Sequence, residues 1–165
     1  MISEIYDYID AGFKVFGLHG SSGGLCNCGD VECKAILKHP IMSNWQNVPH
    51  WSDEQIECFN ELGHFNSGFG VLIKGFLVVD VDARNGGVPS FKKLCKDVPS
   101  LLECAFIVNT GSGGGSQHWY FKLSDDDKTK SLMQTNKKYT GIDFKTSGYV
   151  VGSGSLHESG SNYET

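Results

Sequence analysis

Residues 76–87 read FLVVDVDARNGG: four apolar residues bound for a core, then carboxylates at Asp80 and Asp82 with only Val81 between them. A run this rich in β-branched residues reads as a strand, and in a strand residues i and i+2 share a face. Both carboxylates therefore point the same way, one strand step apart. Two like charges so placed repel unless a proton or a cation is shared between them. A divalent ion meets that need, because Mg²⁺ and Mn²⁺ take oxygen ligands and keep positions for water or phosphate. The alternative is local: one aspartate faces solvent and the other caps the ARNGG turn.

The chain has 165 residues, the size of one compact domain. With 39% hydrophobic residues and 21 glycines, it reads as a loop-rich α/β or α+β domain with a modest core. No apolar run approaches the ~20 residues that a bilayer span needs. The N-terminal MISEIYDYIDAGFK is acidic and lacks the basic-then-apolar order of a signal peptide, so a soluble cytoplasmic protein without membrane contact is expected. A net charge of −5 does not favour a nucleic-acid partner. It excludes none, because acidic residues that hold cations lower the sum.

Along the chain, SEIYDYIDAGFK carries Ile5, Tyr8, Ile9 and Phe13 at helical spacing, with Ser3 as the expected N-cap. FKVFGLH follows as a strand. SDEQIECFNEL opens with Ser52 and has Gln55 three residues on, a capping-box pattern for a second helix. SGFGVLI and GFLVVDVD read as neighbouring strands, and the intervening KG fits a hairpin turn. VPSFKKLCKDV is a helix with proline near its start, and CAFIVNT is a strand. HWYFKL is another. SDDDKTKSLMQTNKK is a polar excursion, and GIDFKT with GYVVGSG form an expected final strand pair. The chain stops at SNYET without a terminating pattern, which suggests a piece of something longer.

Six cysteines sit at 26, 28, 33, 58, 95 and 104. Three of them fall in CNCGDVECKAILKHP, where Cys26, Cys28, Cys33 and His39 are spaced C-x-C-x4-C-x5-H. Three thiolates and an imidazole make a complete tetrahedral set for structural Zn²⁺. Residues 20–50 otherwise lack periodicity, and a metal would explain how so apolar-poor a loop stays ordered. The alternative is a redox-inert cluster of cysteines. Cys58, Cys95 and Cys104 fall on expected helices or strands and read as core. Trp45 and Trp51 read as packing, with stacking on nucleic-acid bases the alternative.

Two further segments bear on the acidic pair. TGSGGGSQHWYF sets a glycine-rich turn before His118, and Ser116 and His118 share a face. Backbone N–H groups at Gly114 and Gly115 can approach an anion closely, and a hydroxyl with an imidazole beside them suits a triphosphate. A hairpin turn with a surface histidine is the plainer reading. In YTGIDFKTSGYVVGSGSLHESG, Asp143 follows an apolar residue and Lys145 lies two places on. The two could complete a metal site and contact phosphate, or form an ordinary surface ion pair. Ser153 and Ser155 are possible nucleotide contacts.

Taken together, Asp80 with Asp82, SQH with His118, and GID with Asp143 resemble the motif series of bifunctional primase-polymerase (prim-pol) domains. These occur in phage, prophage and plasmid replication proteins, within the archaeo-eukaryotic primase superfamily. GFGVLIKGFLVVDVDARNGG and GYVVGSGSLHESGSNYE resemble the family's flanking text, and the C-x-C…C…KHP segment also looks like one found there. The resemblance implies an α/β fold, an RRM-like palm sheet packed with an N-terminal α/β unit that carries a zinc knuckle at about residues 20–50. It implies a single catalytic domain over 1–165. Asp80, Asp82 and Asp143 would hold two Mg²⁺ or Mn²⁺ ions; His118 would meet the nucleotide's phosphates, supported by Ser116 and Lys145. A single-stranded DNA template, NTP or dNTP substrates and a fused or recruited helicase would follow as partners, in a bacterial or phage-infected cell. Two other classes remain open: a metal-dependent nuclease or nucleotide phosphohydrolase, and a non-catalytic single-strand or origin DNA-binding module.

Overall fold

The computed structural model describes residues 1–104, 106–124 and 137–165, so most of SDDDKTKSLMQTNKK lies outside the described residues. In chain order the regular elements are α1 (Ile2–Asp10), β1 (Lys14–Gly17), β2 (Ser21–Ser22), β3 (Leu25–Cys26), α2 (Asp53–Glu61), β4 (Phe69–Leu72), β5 (Phe76–Val81), α3 (Gly87–Asp97), β6 (Phe106–Asn109), β7 (Gln117–Lys122), β8 (Ile142–Lys145) and β9 (Tyr149–Val151). Their contacts fall into two compact units, Met1–Leu72 with Tyr149–Tyr163, and Ile73–Gly148 with Glu164–Thr165. Among the described residues no helix is long and apolar enough to cross a membrane.

The first unit is built on an antiparallel sheet in the order β1-β4-β9. Helix α1 buries Ile5 and Tyr8, and the Tyr8 ring meets Phe69 of the central strand edge-on at 5.4 Å. The helix begins two residues earlier than expected: Ser3 lies inside it and donates to Glu4 instead of capping. It ends where Gly12, at φ 91°, turns the chain: Gly12 N–H reaches Ile9 O and Phe13 N–H reaches Tyr8 O. That paired closure needs a left-handed residue, which glycine adopts without a Cβ penalty. Helix α2 starts with the expected capping box, Ser52 Oγ accepting from Gln55 N–H while Gln55 Oε1 accepts from Ser52 N–H at 3.0 Å. Trp45 packs on Phe16 and Tyr149, and Trp51 donates to Val15 O while meeting Phe59 edge-on. Both tryptophans thus serve packing. Cys58 is exposed on α2, contrary to the core position expected for it.

The second unit carries an antiparallel sheet in the order β6-β7-β5-β8, with α3 between β5 and β6 in sequence. Strand alternation divides the sheet's faces. Val79, Val81 and Ile142 pack with Leu94 of α3 and Tyr139, flanked by Leu77, Phe91, Trp119, Phe121 and Phe144. The next residues along each strand, Asp80, His118, Asp143 and Lys145, therefore look to the opposite face. Helix α3 enters against this sheet at Gly87, where an added Cβ would lie 2.5 Å from Gly141 O and 2.6 Å from Asp82 O. Only glycine allows the helix start to come so close to backbone.

Two expected strand pairings do not occur. A turn does form at 73–76, with Phe76 N–H on Ile73 O, yet β4 pairs with β1 and β9 while β5 pairs with β7 and β8. Likewise β8 pairs with β5 and β9 with β4. The reason is saturation: β4 and β5 each have both edges occupied, so neither offers a row of N–H and C=O groups to its sequence neighbour.

Gly87→Ala should destabilise the protein by ~2 kcal/mol, the cost of forcing a methyl into packed backbone, read as a lower midpoint in urea unfolding. Gly113→Ala, with open space around its Cβ but a φ of +69°, should cost only about 1 kcal/mol.

Candidate active site and metal centre

Asp80 is the Cα partner of His118 on one side and of Asp143 on the other. Directly opposed residues of antiparallel strands share a face with Cβ atoms about 4.5–5.5 Å apart. The sequence thus places histidine, carboxylate and carboxylate in one row across three adjacent strands. Lys145 is opposite Val78, one step diagonal from Asp80, and its ammonium lies 2.6 Å from Asp80 Oδ2. His118 Nε2 lies 3.6 Å from Asp80 Oδ1, and the imidazole is buried. The two oxygens of Asp80 are therefore turned toward different cationic or protonatable groups.

Asp82 is held differently. Its N–H extends the pairing by reaching Gly141 O at 2.8 Å, but its side chain turns onto the following 3-10 turn, Ala83–Asn85. Oδ1 accepts from Arg84 N–H at 3.0 Å and from Arg84 Nε at 3.4 Å; Oδ2 accepts from Asn85 Nδ2 at 2.7 Å. Partial burial opposes ionisation, but the bonds from Asn85 and from Arg84 outweigh it and hold the carboxyl below its ordinary range. The capping alternative thus describes Asp82, and the ladder position describes Asp80. Arg84 and Asn85 went unnoticed in the sequence, although Asp followed by Asn three residues on before Gly-Gly is a turn signal.

The glycine loop is fastened to the same turn. Ser116 is 3% exposed, and its Oγ accepts Ala83 N–H at 2.9 Å. Thr110 N–H closes the loop on Ser116 O at 2.9 Å. Gly113, Gly114 and Gly115 all have positive φ, and Cβ atoms at the latter two would press on Ala83 and Val88. The Ser116 hydroxyl oxygen thus ties the loop to the residue after Asp82. Ser153 and Ser155, the other candidate hydroxyls, are also buried, and Ser155 Oγ accepts Phe69 N–H at 3.1 Å in the first unit.

The cysteine cluster closes as its spacing suggested. Cys26, Cys28, Cys33 and His39 bring their ligand atoms within 4.8 Å of one another, the grouping of three or more such side chains found among the described residues. Cys33 Sγ is 3.3 Å and Cys26 Sγ 3.9 Å from His39 Nδ1. Bond lengths of ~2.3 Å to sulfur and ~2.0 Å to nitrogen in a tetrahedron imply ligand separations of roughly 3.5–3.8 Å. The set is therefore compatible with structural zinc. Cys26 sits on β3, and His39 is fixed by backbone: His19 N–H reaches His39 O and Ile41 N–H reaches Gly17 O. Burial pushes the Cys26 thiol up to about 11, whereas a backbone hydrogen bond from Asp30 draws Cys28 down. Leu37, at φ 59°, takes a left-handed conformation costly for its side chain to bring His39 round.

A row of acid and imidazole beside a lysine and a glycine loop suits nucleotidyl transfer, in which the protein mainly positions groups and balances charge. The chain belongs to the family described as bifunctional DNA primase/polymerase, N-terminal, which matches residues 6–165. The family supports primase/polymerase-type nucleotidyl transfer, a chemistry that implies a DNA template, nucleotide substrates and divalent metal ions. No curated protein matches the chain.

The cluster predicts about one zinc per chain by elemental analysis, lost in Cys26→Ser, with a lowered melting temperature in the variant and in chelated wild-type protein.

Proposed function

We propose that this domain is a DNA primase and DNA polymerase that joins nucleotides on a single-stranded template. The observation that carries the reading is the register: Asp80 opposite both His118 and Asp143, in the motif order that the family implies. The strand order β6-β7-β5-β8, with a helix after the first of these strands in sequence, supports an RRM-like palm. Its site would be built on one sheet face within one catalytic domain.

The carboxylates fit a hard divalent cation. Asp80 and Asp143 face each other across one ladder step, and an ammonium already stands as a cation on Asp80. Asp82 remains ionised, and Oδ2 has a second lone pair beyond its bond to Asn85. Asp80, Asp82 and Asp143 would hold two Mg²⁺ or Mn²⁺ ions, which when bound activate a 3′-hydroxyl and neutralise the triphosphate. His118 and Lys145 would contact the phosphates, and the N–H groups at Gly114 and Gly115 would line their approach. Ser116 would act by holding that loop against the turn at Ala83. The Cys26–Cys28–Cys33–His39 set would hold structural zinc. A role in phage, prophage or plasmid replication, in the cytoplasm and beside a helicase, accompanies this reading.

Primer extension on a single-stranded template with labelled nucleotides and Mn²⁺ tests it. Products longer than the primer are expected from the wild type. Asp80→Ala, Asp82→Ala and Asp143→Ala should each lower extension by about three orders of magnitude or more, with unchanged circular dichroism. His118→Ala should mainly raise the nucleotide KM. Shortened strands would favour a nuclease, phosphate release without extension a phosphohydrolase, and DNA binding without turnover a binding module.

A further inference from the structure

We propose that Lys145 is an exchangeable counter-ion: it neutralises Asp80 before metal loading, then leaves that carboxylate for the nucleotide's phosphates as the cations bind. The inference rests on the assignment of Asp80 and Asp143 to divalent ions and adds a coupling between metal and nucleotide. It starts from an electrostatic problem. Opposed carboxylates on neighbouring strands repel, and like charges facing each other destabilise a ladder. Asp80 and Asp143 are such a pair. Lys145, two residues beyond Asp143 on the same strand face, answers that repulsion by placing its ammonium 2.6 Å from Asp80 Oδ2.

Lys145 comes from β8, the strand that carries Asp143, so a divalent ion shared by Asp80 and Asp143 would compete with its ammonium for the Asp80 carboxylate. An ammonium and a divalent cation on one oxygen repel, so occupancy by one weakens the other. His118 is on Asp80 Oδ1, which leaves the Oδ2 side as the contested position. Lysine suits an exchange of this kind. Its ammonium rides on a flexible four-carbon stem and is partly exposed, with 30% of the side chain accessible, so it can swing without repacking the core. A triphosphate supplies the oxygens that receive it. Metal binding therefore frees a phosphate-binding charge, and phosphate binding frees a metal-binding oxygen. By linkage, each must strengthen the other by the same factor.

Mn²⁺ binding to the zinc-loaded protein, followed by electron paramagnetic resonance without nucleotide, tests this. Lys145→Met keeps the stem and removes the charge. It should tighten Mn²⁺ binding by about threefold to tenfold, the reverse of what loss of a merely structural residue would do. Lys145→Gln should do the same, and Lys145→Arg should stay near wild type. With a non-hydrolysable deoxynucleoside triphosphate present, the strengthening of Mn²⁺ binding by nucleotide should shrink in Lys145→Met. Unchanged or weaker Mn²⁺ binding in both neutral variants, in a protein whose binding is lost on Asp80→Asn, would overturn the exchange alone. Absence of any Asp80-dependent Mn²⁺ binding in the wild type would overturn the metal assignment and the exchange with it.

Discussion

The register between β5 and its two neighbours decides which side chains share a face with Asp80. Side chains alternate strictly across a sheet, so a one-residue slip of β5 would send Asp80 into the core, away from His118 and Asp143, and turn Val79 and Val81 out to the opposite face. The apolar face prevents that slip. Val79, Val81 and Ile142 close on Leu94 and Tyr139 only in the observed alignment, and burying such side chains is worth about 1.5–3 kcal/mol each. The acidic row is thus placed by residues that never touch it. Two glycines and one hydroxyl complete the alignment: Gly87 against Gly141, and Ser116 under Ala83.

Like charges gathered by such a register must be answered, and each group here has its own answer. Asp80 has Lys145 and His118; Asp82 has Arg84 and Asn85. In the first unit, three thiols and an imidazole converge, a grouping compatible with a structural metal ion. The overall charge of −5 says little about these local balances, because the charges that matter are a few ångströms apart and partly desolvated.

Much of this was legible in the chain, and the exceptions share a cause. The capping box at Ser52 and Gln55, the apolar β-branched run before Asp80 and the cysteine spacing are local signals, and each met a local outcome. Pairing partners are not local. Lys74 and Gly75 do form a turn, but whether a turn closes a hairpin depends on which other strands already occupy the edges, and β9 and β7 lie far along the chain. Ser116 shows the same limit: its partner, the Ala83 amide, is 33 residues away. Cys58 shows the opposite error, since helical position was read as burial although its face of α2 is exposed.

On the proposed reading, the D-V-D strand end joins two functions that first looked like rivals. A capping aspartate and a metal-binding aspartate need not be different hypotheses, because capping supplies what coordination requires. The bonds from Arg84 and Asn85 keep Asp82 ionised and fix its carboxylate, so little reorganisation remains when charge must be stabilised. Asp80, one strand step earlier, is fixed by the ladder and kept neutralised by a movable lysine. One carboxylate is rigid through its turn and the other is rigid through its sheet. On the proposed exchange the mobile element is the counter-charge, and the site would load without the backbone having to move.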